Sequence, residues 1–245
     1  RRVVRVCLET GPTGVAFSGG KDSMVLLHLA HALDTRVEGF FFDSGCETEW
    51  TLEAVRGMRA RGIPVTTIHP EYSVVEMIQI VGGLGYAGPA RKPGEWHWRR
   101  GDFQRVLLEA PDRRARAQLL RRYRRSWRGT ATMLLGLRAE ESRARSLHLT
   151  TRGLRYTKAD GRQMACPLAW WTGRDVLAYA VTHGLPLSAE YLQPDEDLDT
   201  RAQRRTGTAL GTSAVSIGRW ARLRQEHPAL WQQLTTVFPL MRLEG

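Results

Sequence analysis

The 245-residue sequence predicts an α/β fold: a doubly wound, mostly parallel sheet followed by a helical C-terminal extension. Three observations lead there. Short β-branched and aromatic runs alternate with segments of helical spacing, and a glycine-rich junction interrupts one such pair at Val15 to Leu27, V-A-F-S-G-G-K-D-S-M-V-L-L. The first, second and fourth predicted strands also end in polar loops. Because ligands of open α/β sheets sit beyond the carboxyl ends of the strands, those loops are expected to share one site.

Val15 to Phe17 forms the first predicted strand and Asp22 to Leu33 its helix. Val37 to Phe42 reads as a strand buried on both faces that ends at Asp43-Ser44-Gly45, with a helix following from about Glu47 to Arg61. Val65 to His69 makes a third strand, and Met133 to Leu137 a fourth that closes on Gly136-Leu137-Arg138. Thr172 to His183 reads as a helix with a capping box at Thr172-x-x-Asp175, an inward face of Val176, Tyr179 and Ala180, and a left-handed stop at Gly184. Trp170 and Trp171 read as core, as does Cys166. Residues 1–191 would form the main domain, with a basic insertion at about 95–128, and 192–245 the extension.

The junction at Ser18 to Ser23 has the chemistry of an anion site. A strand-to-helix turn exposes backbone N–H groups at the positive end of a helix dipole, and glycines let an oxyanion approach closely. Lys21 adds a mobile charge, Ser18 and Ser23 add hydroxyls, and Asp22 suits either loop bracing or a divalent metal. Three familiar patterns do not account for it. A Walker A loop would need glycine at Val15, no G-x-G-x-x-G occurs, and Ser18-x-x-Lys21 lacks the S-D-N and K-T-G companions of penicillin-binding enzymes.

S-G-G-K-D-S resembles the PP-loop of ATP pyrophosphatases in the PAPS reductase-like (adenine nucleotide α-hydrolase-like) superfamily. In that family the loop grips the β and γ phosphates of ATP, and attack falls at the α phosphorus with loss of pyrophosphate. Phe41-Phe42-Asp43-Ser44-Gly45 resembles the family's D-T-G segment, and Gly136 to Arg145 is similar to its G-x-R-x-x-x-S-x-x-R stretch. Pro167-Leu168-x-x-Trp171, Asp175-Val176-Leu177, Tyr179 and Leu185-Pro186 continue the family's order, so the resemblance spans roughly Val15 to Tyr191. It implies ATP and Mg2+ as cofactors, with nucleotide contacts from Ala16, Phe17, Ser18, Gly19, Gly20, Lys21, Asp22, Ser23, Phe42, Asp43, Gly136, Arg138 and Arg145. Lys21, Asp22 and Arg138 would be catalytic, and Asp22 or Asp43 would be the Mg2+ ligand. Capping of the helix that follows is the plain alternative for Asp43, beside a metal or ribose role.

One departure separates this chain from the reductases. They carry a C-terminal cysteine in an E-C-G-L-H context, whereas no cysteine follows Cys166 here and Thr206 to Ser213 reads T-G-T-A-L-G-T-S. The nucleotide half is kept and the attacking thiol is not. Among relatives this pattern is most like the SspD-type ATP pyrophosphatase of DNA phosphorothioation systems. Three cysteines cannot supply the four usual ligands of an iron-sulfur cluster, so none is expected. The resemblance implies an SspA-like cysteine desulfurase, DNA and other phosphorothioation proteins as partners, and is compatible with a homodimer. The alternatives are a PAPS or adenylyl-sulfate reductase, or a non-catalytic ATP- or DNA-binding subunit.

Charge and cysteine usage bear on partners. Net charge is +11, and only Lys21, Lys92 and Lys158 are lysines. Residues 99–128 hold eleven arginines against Asp102, Glu109 and Asp112, a net of +8, with Trp96, Trp98, Tyr123 and Trp127 interleaved or adjacent. Arg121, Arg122, Arg124 and Arg125 are therefore candidate nucleic-acid contacts; a solvated helix face is the plain alternative. Cys46, next to Gly45 at a predicted strand end, is a candidate sulfur acceptor if exposed and otherwise a buried thiol. Widely spaced Cys7, Cys46 and Cys166 form neither a disulfide framework nor a C-x-x-C site, and no apolar run approaches the ~20 residues of a membrane span. A reducing cytoplasm is the expected location, without membrane attachment.

Overall fold

A computed structural model of the chain describes residues 1–43, 45–68, 132–158, 161–192, 197–203 and 219–237. Its centre is strand β1 (Thr13–Phe17), flanked by the parallel strands β2 (Glu38–Phe42) and β4 (Thr132–Leu134). β3 (Val65–Ile68) pairs with β2, β6 (Gln163–Ala165) with β4, and the edge strand β5 (Arg155–Thr157) lies antiparallel to β6. The sheet order β3-β2-β1-β4-β6-β5 is that of a mostly parallel α/β sheet. His69, assigned to the third strand from sequence, lies outside the described residues.

Helix α2 (Lys21–His31) explains why the first strand and its helix were legible. Met24, Val25, Leu26, Leu27 and Ala30 are all fully buried, because one side of the helix packs on the sheet and another on α5 (Gly173–Thr182). Each large apolar side chain so buried contributes about 1.5–3 kcal/mol of transfer free energy. Thr172 caps α5 as expected: its Oγ1 accepts the Asp175 N–H at 3.1 Å, while the Asp175 carboxylate accepts the Thr172 N–H at 2.7 Å. Val176 and Ala180 are buried, Tyr179 packs against them, and Gly184 ends the segment at φ +56.

Further described helices are α1 (Arg2–Thr10), whose Val4 and Cys7 reach the core, α3 (Glu49–Ala60), α4 (Arg143–Arg152) and α6 (Leu198–Gln203). Single 3-10 turns occur at Ala139–Glu141 and Ala189–Tyr191. The described residues of Arg1–Phe42, Trp50–Ile68 and Arg128–Thr206 make one compact unit, and it contains the whole sheet. Asp43–Glu49 belongs to a second unit together with α7 (Arg219–Glu226) and α8 (Pro228–Val237), which pack on each other. Among the described residues no helix is long and apolar enough to cross a membrane.

Candidate functional site

The chain runs β1-β2-β3 to one side of the sheet and then resumes at β4 on the other, so the direction of winding reverses between β1 and β4. A crevice opens beyond the carboxyl ends of strands at such a point. The loop after β1 is Ser18-Gly19-Gly20, and Gly19 takes φ +74, a conformation that side chains disfavour. Ser18 and the helix residue Ser23 draw it into a tight ring. The Ser18 N–H donates to Ser23 Oγ at 3.1 Å, the Ser23 hydroxyl donates to the Gly20 carbonyl at 2.9 Å, and the two hydroxyl oxygens lie 3.2 Å apart. Gly20, in extended conformation, then delivers the chain into the first turn of α2, whose N-terminal dipole favours an anion.

Three charges meet at that first turn. Lys21 is 0% exposed, with its Nζ 3.2 Å from Asp22 Oδ2 and 5.0 Å from the centre of the Tyr191 ring. Burial pulls the Lys21 ammonium below its usual pKa; Asp22 pushes it back up and Arg138 lowers it further. The other Asp22 oxygen, Oδ1, takes Arg138 Nε at 2.5 Å, and Glu140 Oε2 takes Arg138 Nη1 at 2.5 Å. Burial works against the Arg138 charge too, yet Asp22, Glu141 and Glu140 outweigh it and hold the guanidinium above its ordinary value. Glu141 accepts the Arg138 N–H at 3.0 Å and pairs with Arg145.

Backbone contacts hold the two loops together. A Cβ on Gly136 would stand 3.0 Å from the carbonyl carbon of Asp22 and 3.0 Å from the Ser23 nitrogen, so glycine lets the β4 loop lie against the start of α2 without pushing that backbone aside. Behind it, the Ala139 N–H donates to the Ala169 carbonyl at 2.8 Å, and Glu140 Oε2 accepts the Gly173 N–H at 2.6 Å. An oxyanion arriving at the α2 N-terminus meets two positive side chains, and Asp22 is the group that must yield. A separate cavity of about 490 Å3 opens at the opposite ends of β1 and β2, lined by Glu9, Thr13, Asp34, Arg36 and Glu38 among others. Its carboxylates suit no phosphate, and none of the motif residues lines it.

A model of the phosphoadenosine phosphosulfate reductase domain matches residues 13–220. The chain belongs to the PAPS reductase family. Its fold is similar to that of phosphoadenylyl-sulfate (PAPS) reductase from Candida auris, solved as a phosphate complex, with a TM-score of 0.55 and 18% identity over 84% of this chain and 86% of that one. No curated protein matches the chain.

In this PAPS reductase-family chain the structure brings Ser18, Gly19, Gly20, Lys21, Asp22, Ser23, Gly136 and Arg138 into one site. Ala16 and Phe17 end the strand that leads into it, and Arg145 joins it through Glu141. Phe42 ends β2 and is partly exposed. Asp43 lies in the second unit, where its carboxylate accepts the Gly45 N–H at 2.9 Å in a local turn. Tyr191, buried beneath Lys21 with its hydroxyl 3.4 Å from the Lys21 backbone N–H, carries no local sequence signal. Glu140 and Glu141 lie inside the G-x-R-x-x-x-S stretch, at its unspecified positions.

Both Asp22 oxygens are held by cations, and among the described residues no three His, Cys, Asp or Glu gather as a metal cluster. Two expectations need correction. Cys46 is fully buried, so the exposure that a sulfur acceptor requires is not met. Trp170 is 61% exposed and not core, while its neighbour Trp171 packs inward against Tyr179. Cys166 is buried as expected, and burial pushes its thiol up to about 11. Arg121, Arg122, Arg124 and Arg125 lie outside the described residues.

Proposed function

We propose that this chain is an SspD-type ATP pyrophosphatase: it splits ATP into AMP and pyrophosphate and thereby activates a DNA backbone phosphate for sulfur insertion. The observation that carries the reading is the Ser18–Ser23 loop at the β1/β4 switch point, with Lys21 and Arg138 converging on Asp22. Lys21 and the α2 N-terminus would neutralise the charge that builds on pyrophosphate as the α–β bond breaks. The adenylylated acceptor oxygen then leaves with AMP as the terminal sulfur of the desulfurase persulfide attacks the phosphorus, and an external thiol reductant cleaves the resulting P–S–S linkage to free the phosphorothioate. Residues 167–245 contain no thiol that could attack a sulfonate, and the arginine-rich 99–128 segment suits a polyanionic acceptor. With Cys46 buried, sulfur would pass directly from an SspA-like desulfurase to the activated phosphate, and Cys46→Ser is expected to leave modification intact.

The test has two parts. Purified chain, ATP, Mg2+, desulfurase, cysteine, a thiol reductant and DNA should release AMP and pyrophosphate in equal amounts, and DNA from cells carrying the gene should yield phosphorothioate dinucleotides by mass spectrometry. Neither product appearing would remove the proposal. The family match supports a second reading, sulfonucleotide reduction. Sulfite released from PAPS or adenylyl sulfate in the presence of reduced thioredoxin would establish it instead.

A further inference from the structure

We propose that Trp170 is a stacking platform for a nucleobase of the acceptor strand, set beside the phosphate loops to choose which backbone position reaches them. The inference rests on the nucleic-acid acceptor proposed above. Trp170 is 61% exposed, although Leu168 and Ala169 before it are 1% exposed and Trp171 after it packs against the core. The backbone explains why the indole stays outside. The Ala169 N–H donates to the Cys166 carbonyl at 3.2 Å and the Trp171 N–H to the Leu168 carbonyl at 2.9 Å, so the turn is tied on both sides of Trp170. With Trp171 occupying the inward direction, its neighbour is held out as a preorganised apolar face.

Its place in the fold adds the second half of the argument. The Ala169 carbonyl, one residue before Trp170, accepts the Ala139 N–H at 2.8 Å, and the Gly173 N–H, three residues after it, is held by Glu140 Oε2, the same oxygen that binds Arg138. The indole is therefore carried by the brace that fixes the Arg138 loop. Arg143, exposed and first in α4, follows within five residues of Arg138 and offers a charge to a backbone phosphate. An exposed aromatic on a braced turn, in a chain of net charge +11, matches the way single strands are held: phosphates by cations, bases by ring faces.

The experiment measures binding of short fluorescent single-stranded and duplex DNA to wild type, Trp170→Ala and Trp170→Phe across a salt series, with ATP binding by calorimetry beside it. Loss of one stacked base should weaken DNA binding roughly five- to hundredfold at every salt concentration. The slope of log affinity against log salt should stay unchanged, because no phosphate contact is lost. Trp170→Phe should recover most of the loss, and ATP affinity should match wild type in both variants. Wild-type DNA affinity in Trp170→Ala overturns the proposal and leaves the nucleic-acid reading standing. A loss confined to ATP overturns it in favour of adenine as the stacked base. If wild type binds neither DNA form, the acceptor reading fails and this inference fails with it.

Discussion

Asp22→Asn isolates the central charge of the site. The substitution keeps the shape of the side chain but leaves Lys21, 0% exposed, and Arg138, 3% exposed at its side chain, facing each other without the carboxylate between them. Breaking a buried ion pair from one side costs about 3–5 kcal/mol, and since Arg138 keeps Glu140 at 2.5 Å the lower end applies. For a chain of this size about 3 kcal/mol corresponds to a melting temperature lowered by roughly 6–12 °C. Ligand should narrow the gap. A phosphate oxyanion at the α2 N-terminus replaces the missing charge, so saturating pyrophosphate should raise the melting temperature of Asp22→Asn more than that of wild type. The assay is thermal denaturation with and without pyrophosphate at low ionic strength. An unliganded Asp22→Asn that melts with wild type would refute the charge balance described here, and a smaller pyrophosphate shift in the variant would refute the site.

Further outcomes follow from the same geometry. Lys21→Ala should remove a charge-assisted phosphate contact of about 1.5–3 kcal/mol and weaken ATP binding about tenfold or more, read by calorimetry; unchanged affinity would remove the loop from the site. Gly136→Ala should drive the β4 loop away from Asp22 and Ser23, at about 1–3 kcal/mol of stability, and should reduce ATP affinity even at temperatures where the variant is fully folded. His28, held below its ordinary pKa first by burial and then by His183, Arg61 and His31, takes up its proton less readily in the folded protein, where its Nδ1 lies 3.0 Å from the Tyr179 hydroxyl. The unfolded chain takes up that proton near 6.5, so stability should be full above about pH 6.5 and fall as pH drops through it, and His28→Gln should flatten that part of a urea-midpoint profile. Replacing Arg121, Arg122, Arg124 and Arg125 by Gln should reduce the salt dependence of DNA binding, and an unchanged slope would return that segment to an ordinary solvated face.

What the sequence determined by itself was local. The strand, glycine turn and helix around Ser18 to Ser23, the apolar run of β2 and the Thr172 capping box are each written within a few residues, because hydrogen bonds and side-chain periods at that range depend on neighbours alone. The meeting of Lys21 with Arg138 could be expected from the rule that loops beyond the strand ends share a crevice. The means of their meeting could not. Asp22 as the carboxylate between them, Glu140 as the second partner of Arg138 and Tyr191 beneath Lys21 depend on chain segments more than a hundred residues from the loop, brought together by β4 lying against β1. The short strands β5 and β6, three residues each, carry too little periodicity to announce themselves. Burial was the least legible property. Trp170 and Trp171 have the same side chain, but in a tied turn only one of two adjacent residues can face the core, and tertiary packing chose Trp171.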